Sequence, residues 1–269
     1  MKISLRILLL LLISCNTLFA QTPETKAKKV KKHYIYFAWG YNKDWFSKST
    51  IHFKSGSASD FPYDFSWIKV KAHDYPGFEN IFKGNISIPQ YAYRFGYMVN
   101  AKKGIGVEYA FDHAKYIVTQ EQTFHVNGKI NNDYYDEFTN YAKEEMHFEH
   151  TNGANFAMLN VFKEKIFYAS KNQKFEMAYI VKAGGGVVIP KTDVTLFGER
   201  LDNRFHVAGY IFGVEGGVTL NFWRNIFLSP TFKAAYANYD NALTVDNGRA
   251  HHYFYAYEAI LVAGYKFRF

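Results

Sequence analysis

The stretch from Tyr253 to Phe269 alternates residue by residue. One register reads Tyr253, Tyr255, Tyr257, Ala259, Leu261, Ala263, Tyr265, Phe267 and Phe269. The other reads Phe254, Ala256, Glu258, Ile260, Val262, Gly264, Lys266 and Arg268, smaller and more polar on average. A period of two is the signature of a β-strand, whose successive side chains point to opposite faces. Ordinary strands run to about 5–6 residues. A tilted strand that crosses a bilayer needs roughly 9–11, and this one is long enough. Left at the edge of a soluble sheet, such an aromatic strand would invite aggregation.

The rest of the chain repeats the theme. Tyr34–Tyr41 places Ile35, Phe37, Trp39 and Tyr41 on one face, and Gln90–Val99 does the same with Tyr91, Tyr93, Phe95 and Tyr97. Ile105–Phe111, Ala154–Phe162, Phe175–Val187, His206–Phe222 and Ile226–Tyr239 are further strands, and Ser49–Lys54 and Tyr63–Ala72 are shorter ones. Aromatics make up 19% of the residues, an excess that suits a barrel with aromatic girdles at both membrane interfaces. The spacing predicts an all-β chain, a transmembrane antiparallel up-and-down β-barrel of about ten strands, with eight as the alternative. The two counts differ in whether 49–54 and 63–72 join the barrel as a hairpin or belong to a long first loop.

A terminal Phe269 preceded by Phe267 and Tyr265 resembles the C-terminal assembly signal of bacterial outer-membrane β-barrels. That resemblance implies an outer-membrane location, contact with outer-membrane lipid and lipopolysaccharide, and passage through the barrel assembly machinery. Residues 1–20 read as a secretory signal: Lys2 and Arg6, an apolar centre over 8–13, and Leu18-Phe19-Ala20 before a cut at Gln21. The Leu-Phe-Ala-Gln ending resembles signals of Bacteroidetes-like organisms. Leu12-Ile13-Ser14-Cys15 also resembles a lipoprotein box, which would make Cys15 a lipidated terminus. Cys15 is the only cysteine, so a disulfide framework is excluded.

The formal charge is +8, and much of it sits between Lys26 and Lys32. Residues 21–32 read as a basic periplasmic lead-in, and 33–269 as the barrel. Nucleic-acid binding would want a basic groove lined by stacking aromatics; here the aromatics follow strand alternation instead. Short turns near 100–104, 163–174 and 222–225 alternate with long connections near 73–88, 119–150, 188–205 and 240–250. Because periplasmic turns are the short ones, both termini are expected in the periplasm and the loop at 119–150 at the cell surface.

The inward register carries opposite charges: Glu108, Asp112, Glu176, Glu215 and Glu258 against Arg94, Lys182, Lys233 and Lys266. A barrel of eight to ten strands has an interior filled by side chains, so these charges should pair into a plug. A narrow ion path is the alternative use of the same residues. The one local constellation with catalytic types is Glu149-His150-Thr151-Asn152. It resembles the His-x-Ser-Asn region of the outer-membrane lipid A deacylases, which implies hydrolysis of a lipid acyl ester. It departs from that pattern in placing the hydroxyl directly after the histidine, on the opposite face of a strand. The scattered histidines, among them His73, His113, His251 and His252, show no metal-ligand spacing, and neither a metal nor a cofactor is expected. The expectation is a non-enzymatic barrel that meets a surface partner through its long loops, Tyr134, Tyr135, Phe138 and Tyr141 being candidate anchors.

Overall fold

A computed structural model describes residues 33–78, 90–140, 146–150 and 153–269. The signal and lead-in readings at 1–32, with Cys15, and the residues Tyr141, Thr151 and Asn152 lie outside the described residues. Every regular element among the described residues is a strand.

The alternation at the C-terminus becomes β17 (Arg249–Arg268), whose odd residues from Tyr253 on face out and whose even residues through Val262 are buried. It closes a ring. β1 (Tyr34–Phe46), β5 (Ala92–Asn100), β6 (Ile105–Asp112), β11 (Phe156–Ala169), β12 (Phe175–Val188), β15 (Gly209–Phe222), β16 (Ile226–Leu243) and β17 pair antiparallel in that order, and β17 pairs back to β1 from Tyr34↔Arg268 to Phe46↔Ala256. The ring therefore holds eight strands, the smaller of the two expected counts.

The hairpin expected at 49–54 and 63–72 does form, as β2 (Ser49–Lys54) and β3 (Tyr63–Val70), but outside the ring. β17 has 20 residues and outruns its pairing with β1. β2 takes up the overhang at Arg249–His251. β3 then pairs with β8 (Thr123–Ile130), and β8 with β9 (Asp133–Asn140). The segment 119–150, expected as one long connection, thus carries strands of its own. Its turn falls at Asn131-Asn132, where Asn131 takes φ 55°, a left-handed conformation that asparagine tolerates. Asn127-Gly128, a dipeptide common in turns, sits instead inside β8, where Gly128 has φ 135° and passes close to the backbone of Asp64.

A second sheet lies at the same end. Its order is β14 (Glu199–Asp202), β13 (Asp193–Leu196), β10 (Met146–His150), β7 (Tyr116–Val118) and β4 (Ala72–His73). Its apolar face packs on that of the ring's extension. Phe53, Phe65 and Trp67 of β2–β3 and Phe124 and Val126 of β8 share one buried cluster with Tyr116, Phe148, Val194 and Leu196. Phe53 meets Phe148 edge-on at 5.5 Å. The long-loop end is therefore a cap whose buried core runs on into the barrel interior at Phe156, Met158, Ile211 and Phe254.

At the other end the connections are short: 101–104, 170–174 and 223–225. Phe269 is tied down there, its backbone N–H donating to the His33 carbonyl at 3.1 Å and its ring stacking on Tyr97. Tyr265 packs against Phe267 at 4.8 Å. Inside, bulky rings lie over paired glycines. Tyr36 covers Gly96 and Phe162 covers Gly106, each across its strand pair.

Candidate functional site

The residues that could carry function fall into four places: the lumen, the buried core of the cap, the outward face of the second sheet and the β8–β9 hairpin.

The lumen brings together seven of the nine inward charges read from the sequence. Arg94 donates to Asp112 at 2.6 Å and lies 3.5 Å from Glu215 and 3.7 Å from Glu108. Lys182 bridges Glu108 and Glu215, each at 2.9 Å. Lys233 bridges Asp112 and Glu258, each at 2.5 Å. All seven are buried. Tyr36 donates its hydroxyl to Glu108, and Thr231 donates to Glu215 at 2.7 Å. Burial of this kind is tolerable only because each charge has partners of opposite sign or hydrogen bonds.

Two expected members stand apart. Lys266 pairs instead with Glu164 at 3.1 Å, toward the short-turn end, with Tyr34 donating to the same carboxylate at 2.7 Å. Glu176 is only half-buried and lies six residues along β12 from Lys182, opposite Asn221 near the short-turn end. Glu164 lies beyond the clear alternation, which ends at Phe162 and suggests a turn over 163–174; the strand runs on to Ala169 and carries Glu164 inside. Asp44 was missed for the same reason at the end of β1; it accepts from Gln90 at 3.0 Å. Between the two charge groups lies a void of about 10 Å³, lined by Arg94, Glu108, Glu164, Lys182 and Lys266 among others, room for one water molecule.

The cap core holds His150, one of the two described residues of the deacylase-like constellation. His150 is buried, with Nδ1 3.1 Å from Thr192 Oγ1 and Nε2 3.1 Å from His252 Nε2. His252 Nδ1 lies 3.3 Å from Ser49 Oγ, and the Tyr239 ring stacks on His150 at 4.8 Å. Burial drives the His150 pKa down to about 3, so the ring is neutral. Both its nitrogens face protein groups, and no substrate ester reaches it. Glu149 points to the other face of β10, as strand alternation demands.

That other face is polar. His147 Nε2 is 3.0 Å from Glu149 Oε2, and Asp193 lies directly opposite Glu149 across β10–β13. One atom from each of the three converges within 4.8 Å, a set from which a cation could draw ligands. Arg200 forks onto both oxygens of Asp193, at 2.9 and 2.5 Å, and these hydrogen bonds hold its carboxyl below the usual carboxylate range. The guanidinium already supplies the positive charge that the two facing acids need. No local spacing marks this set, because Asp193 reaches it from another strand 44 residues on from Glu149. Of the other histidines, His113 is buried against Asn155 at 2.8 Å, His73 meets Thr119 at 3.0 Å, and His251 lies 3.2 Å from Asp240.

The β8–β9 hairpin is exposed on one face along its whole length. Tyr134 is 63% and Phe138 75% exposed, with Asp136 between them. Both rings are held: Phe138 stacks on His125 at 5.0 Å, and Asn127 donates to the Tyr134 hydroxyl at 2.9 Å. Asp136 accepts from or pairs with His125 at 2.6 Å. Tyr135, on the opposite face, packs on the cap core.

Around the ring the outer surface is apolar. Val107, Leu159, Val161, Val181, Val214 and Leu261 face out in its middle, with Trp39, Phe212 and Tyr255 toward the cap and Trp223, Tyr265 and Phe267 toward the short turns. A closed ring leaves no unpaired edge, and an aliphatic band between aromatic girdles is the wall of an outer-membrane-type barrel.

No family model and no curated protein matches this sequence. Solved structures it is similar to include the outer membrane protein OprG of Pseudomonas aeruginosa (TM-score 0.37, 12% identity, 88% of this chain and 97% of that one). Ail, the attachment invasion locus protein of Yersinia pestis, gives a TM-score of 0.32 at 11% identity, over 88% of this chain and 98% of that one. Neisserial surface protein A gives 0.31 at 11% identity, over 87% and 97%. Likenesses this low carry no weight beside what the strand pairing displays directly: the chain is an all-β, antiparallel, eight-stranded barrel with the wall of an outer-membrane protein.

Proposed function

We propose that this protein is a small bacterial outer-membrane barrel that works by contact, through the cap at its long-loop end, with a protein partner at the cell surface. The observation that carries this reading is the β8–β9 hairpin, which holds Tyr134 and Phe138 out to solvent in fixed positions. Aromatic anchors of this kind dominate interface energetics, and fixing them beforehand lowers the entropy lost on binding. The lumen favours contact over conduction, since ion-paired side chains fill it. The burial of His150, with both ring nitrogens against protein groups, weighs against the acyl-ester hydrolase reading. Lipid and lipopolysaccharide around the wall, and the assembly machinery acting on Phe269, are partners that any barrel of this kind needs.

The test is photo-crosslinking in living cells. A photoreactive phenylalanine at Phe138 should give a discrete protein adduct, and the same group at Trp223 should not. Equal adducts from both positions, or none from Phe138, would count against the reading.

A further inference from the structure

Three strands end the sheets with a free edge among the described residues: β4, β14 and β9. The first two are blunted in the usual ways. β4 has 2 residues, and β14 has 4, three of them charged. Short, charged edges discourage further pairing. β9 differs. It has 8 residues, pairs with β8 in unbroken register from Ile130↔Asp133 to Thr123↔Asn140, and contains no proline, lysine or arginine. An edge this long and regular is a template for another strand.

The side chains restrict what that strand can be. Asp133, Asp136 and Glu137 place acids on both faces of β9, and the strand carries no base. A second copy adding its own β9 would set acid against acid, and like charges directly opposite destabilise a strand pair. We infer that β9 is a docking edge for an extended segment of a partner protein rich in lysine or arginine, which adds to the cap as a further antiparallel strand. Backbone hydrogen bonds along the edge supply affinity. The acids select basic side chains on either face, and Tyr134 and Phe138 cover the aliphatic stems of those on their side. The inference rests on the surface-contact reading and names the edge and the chemistry that it leaves open.

The test uses the full-length protein in lipid nanodiscs and three fluorescent peptides: an alternating Arg–Val octamer, the same peptide N-methylated at every second residue, and a Glu–Val octamer. The Arg–Val peptide should bind and slow amide exchange along β9. N-methylation, which removes edge hydrogen bonds without touching charge, should abolish that protection. The Glu–Val peptide should bind about tenfold more weakly, the size expected when two cross-strand charge pairs, those of Asp133 and Glu137 on one face, change sign. An Asp133→Asn/Asp136→Asn/Glu137→Gln variant should lose the preference for the basic peptide and keep the same cap exchange pattern. Failure of the Arg–Val peptide to bind, equal binding of the N-methylated peptide, or equal binding of the acidic one would each overturn the proposal. So would β9 protection without peptide at the mass of a dimer, which would make the occupant a second copy. Crosslinking from Phe138 reports the exposed face and needs no free edge. An adduct there with no peptide binding would remove the edge proposal and leave the surface-contact reading standing.

Discussion

Lys233 of β16 stands directly opposite Glu258 of β17, with Nζ 2.5 Å from the carboxylate and Asp112 the same distance away on its other side. This one ammonium holds two buried acids on strands that are not neighbours in the ring. Lys233→Met keeps most of the volume and removes the charge. It should destabilise the barrel by roughly 3–5 kcal/mol, the range for breaking a buried ion pair from one side. Urea unfolding in lipid vesicles measures this, and a loss under about 1 kcal/mol would mean that the acids find other partners.

The ring over a glycine gives a second test. A Cβ on Gly96 would lie 2.2 Å from the Tyr36 ring. Gly96→Val should therefore push Tyr36 aside, break its hydrogen bond to Glu108 and cost about 1–3 kcal/mol through overpacking. Pairing it with Tyr36→Ala should recover part of the packing loss but not the hydrogen bond. Additive losses in the double variant would show that the two residues are not coupled.

Acid should loosen the cap before the barrel. His150 stays neutral in the folded chain down to a pKa of about 3, while an unfolded histidine titrates near 6.5. A folded pKa below the unfolded one means that the unfolded chain takes the proton first. The contribution is whole above about pH 6.5 and shrinks by up to about 1.4 kcal/mol per pH unit as pH falls toward 3. Amide exchange at Phe148 and Val194, which pack in the cap core, should quicken over that range. His150→Gln, which does not titrate, should flatten the dependence; an unchanged slope would locate the sensitivity elsewhere.

A lumen filled by paired side chains should pass no steady current. Wild-type protein in a planar bilayer should show no conductance steps above background. Regular, long-lived openings would show that the ion pairs separate and that the narrow channel is real.

Much of the barrel was legible in the sequence, because its strands are half-buried and alternate. The out-facing Phe37, Tyr97, Val181 and Phe212 and the in-facing Arg94, Glu108 and Lys182 could be assigned by period alone. Of the cap, only the β2–β3 hairpin was legible, for a physical reason. β8 and β9 expose both polar and aromatic residues, so the contrast between faces that marks a strand fades. Strand ends were read short wherever polar residues such as Asp44 and Glu164 turned inward to make ion pairs or hydrogen bonds. The His150–His252 contact joins residues 102 apart and the His147–Glu149–Asp193 set joins two strands; no local spacing announces either.

With the short turns in the periplasm the β8–β9 hairpin stands outside the cell, and its turn residue tests that most directly. Asn131 sits at the tip of the hairpin and is exposed. Asn131→Cys, in a chain whose natural cysteine is Cys15 alone, should be labelled on intact cells by a membrane-impermeant maleimide, with the parent chain as the blank. Labelling that requires the outer membrane to be broken first would invert the barrel and remove the surface partner with it.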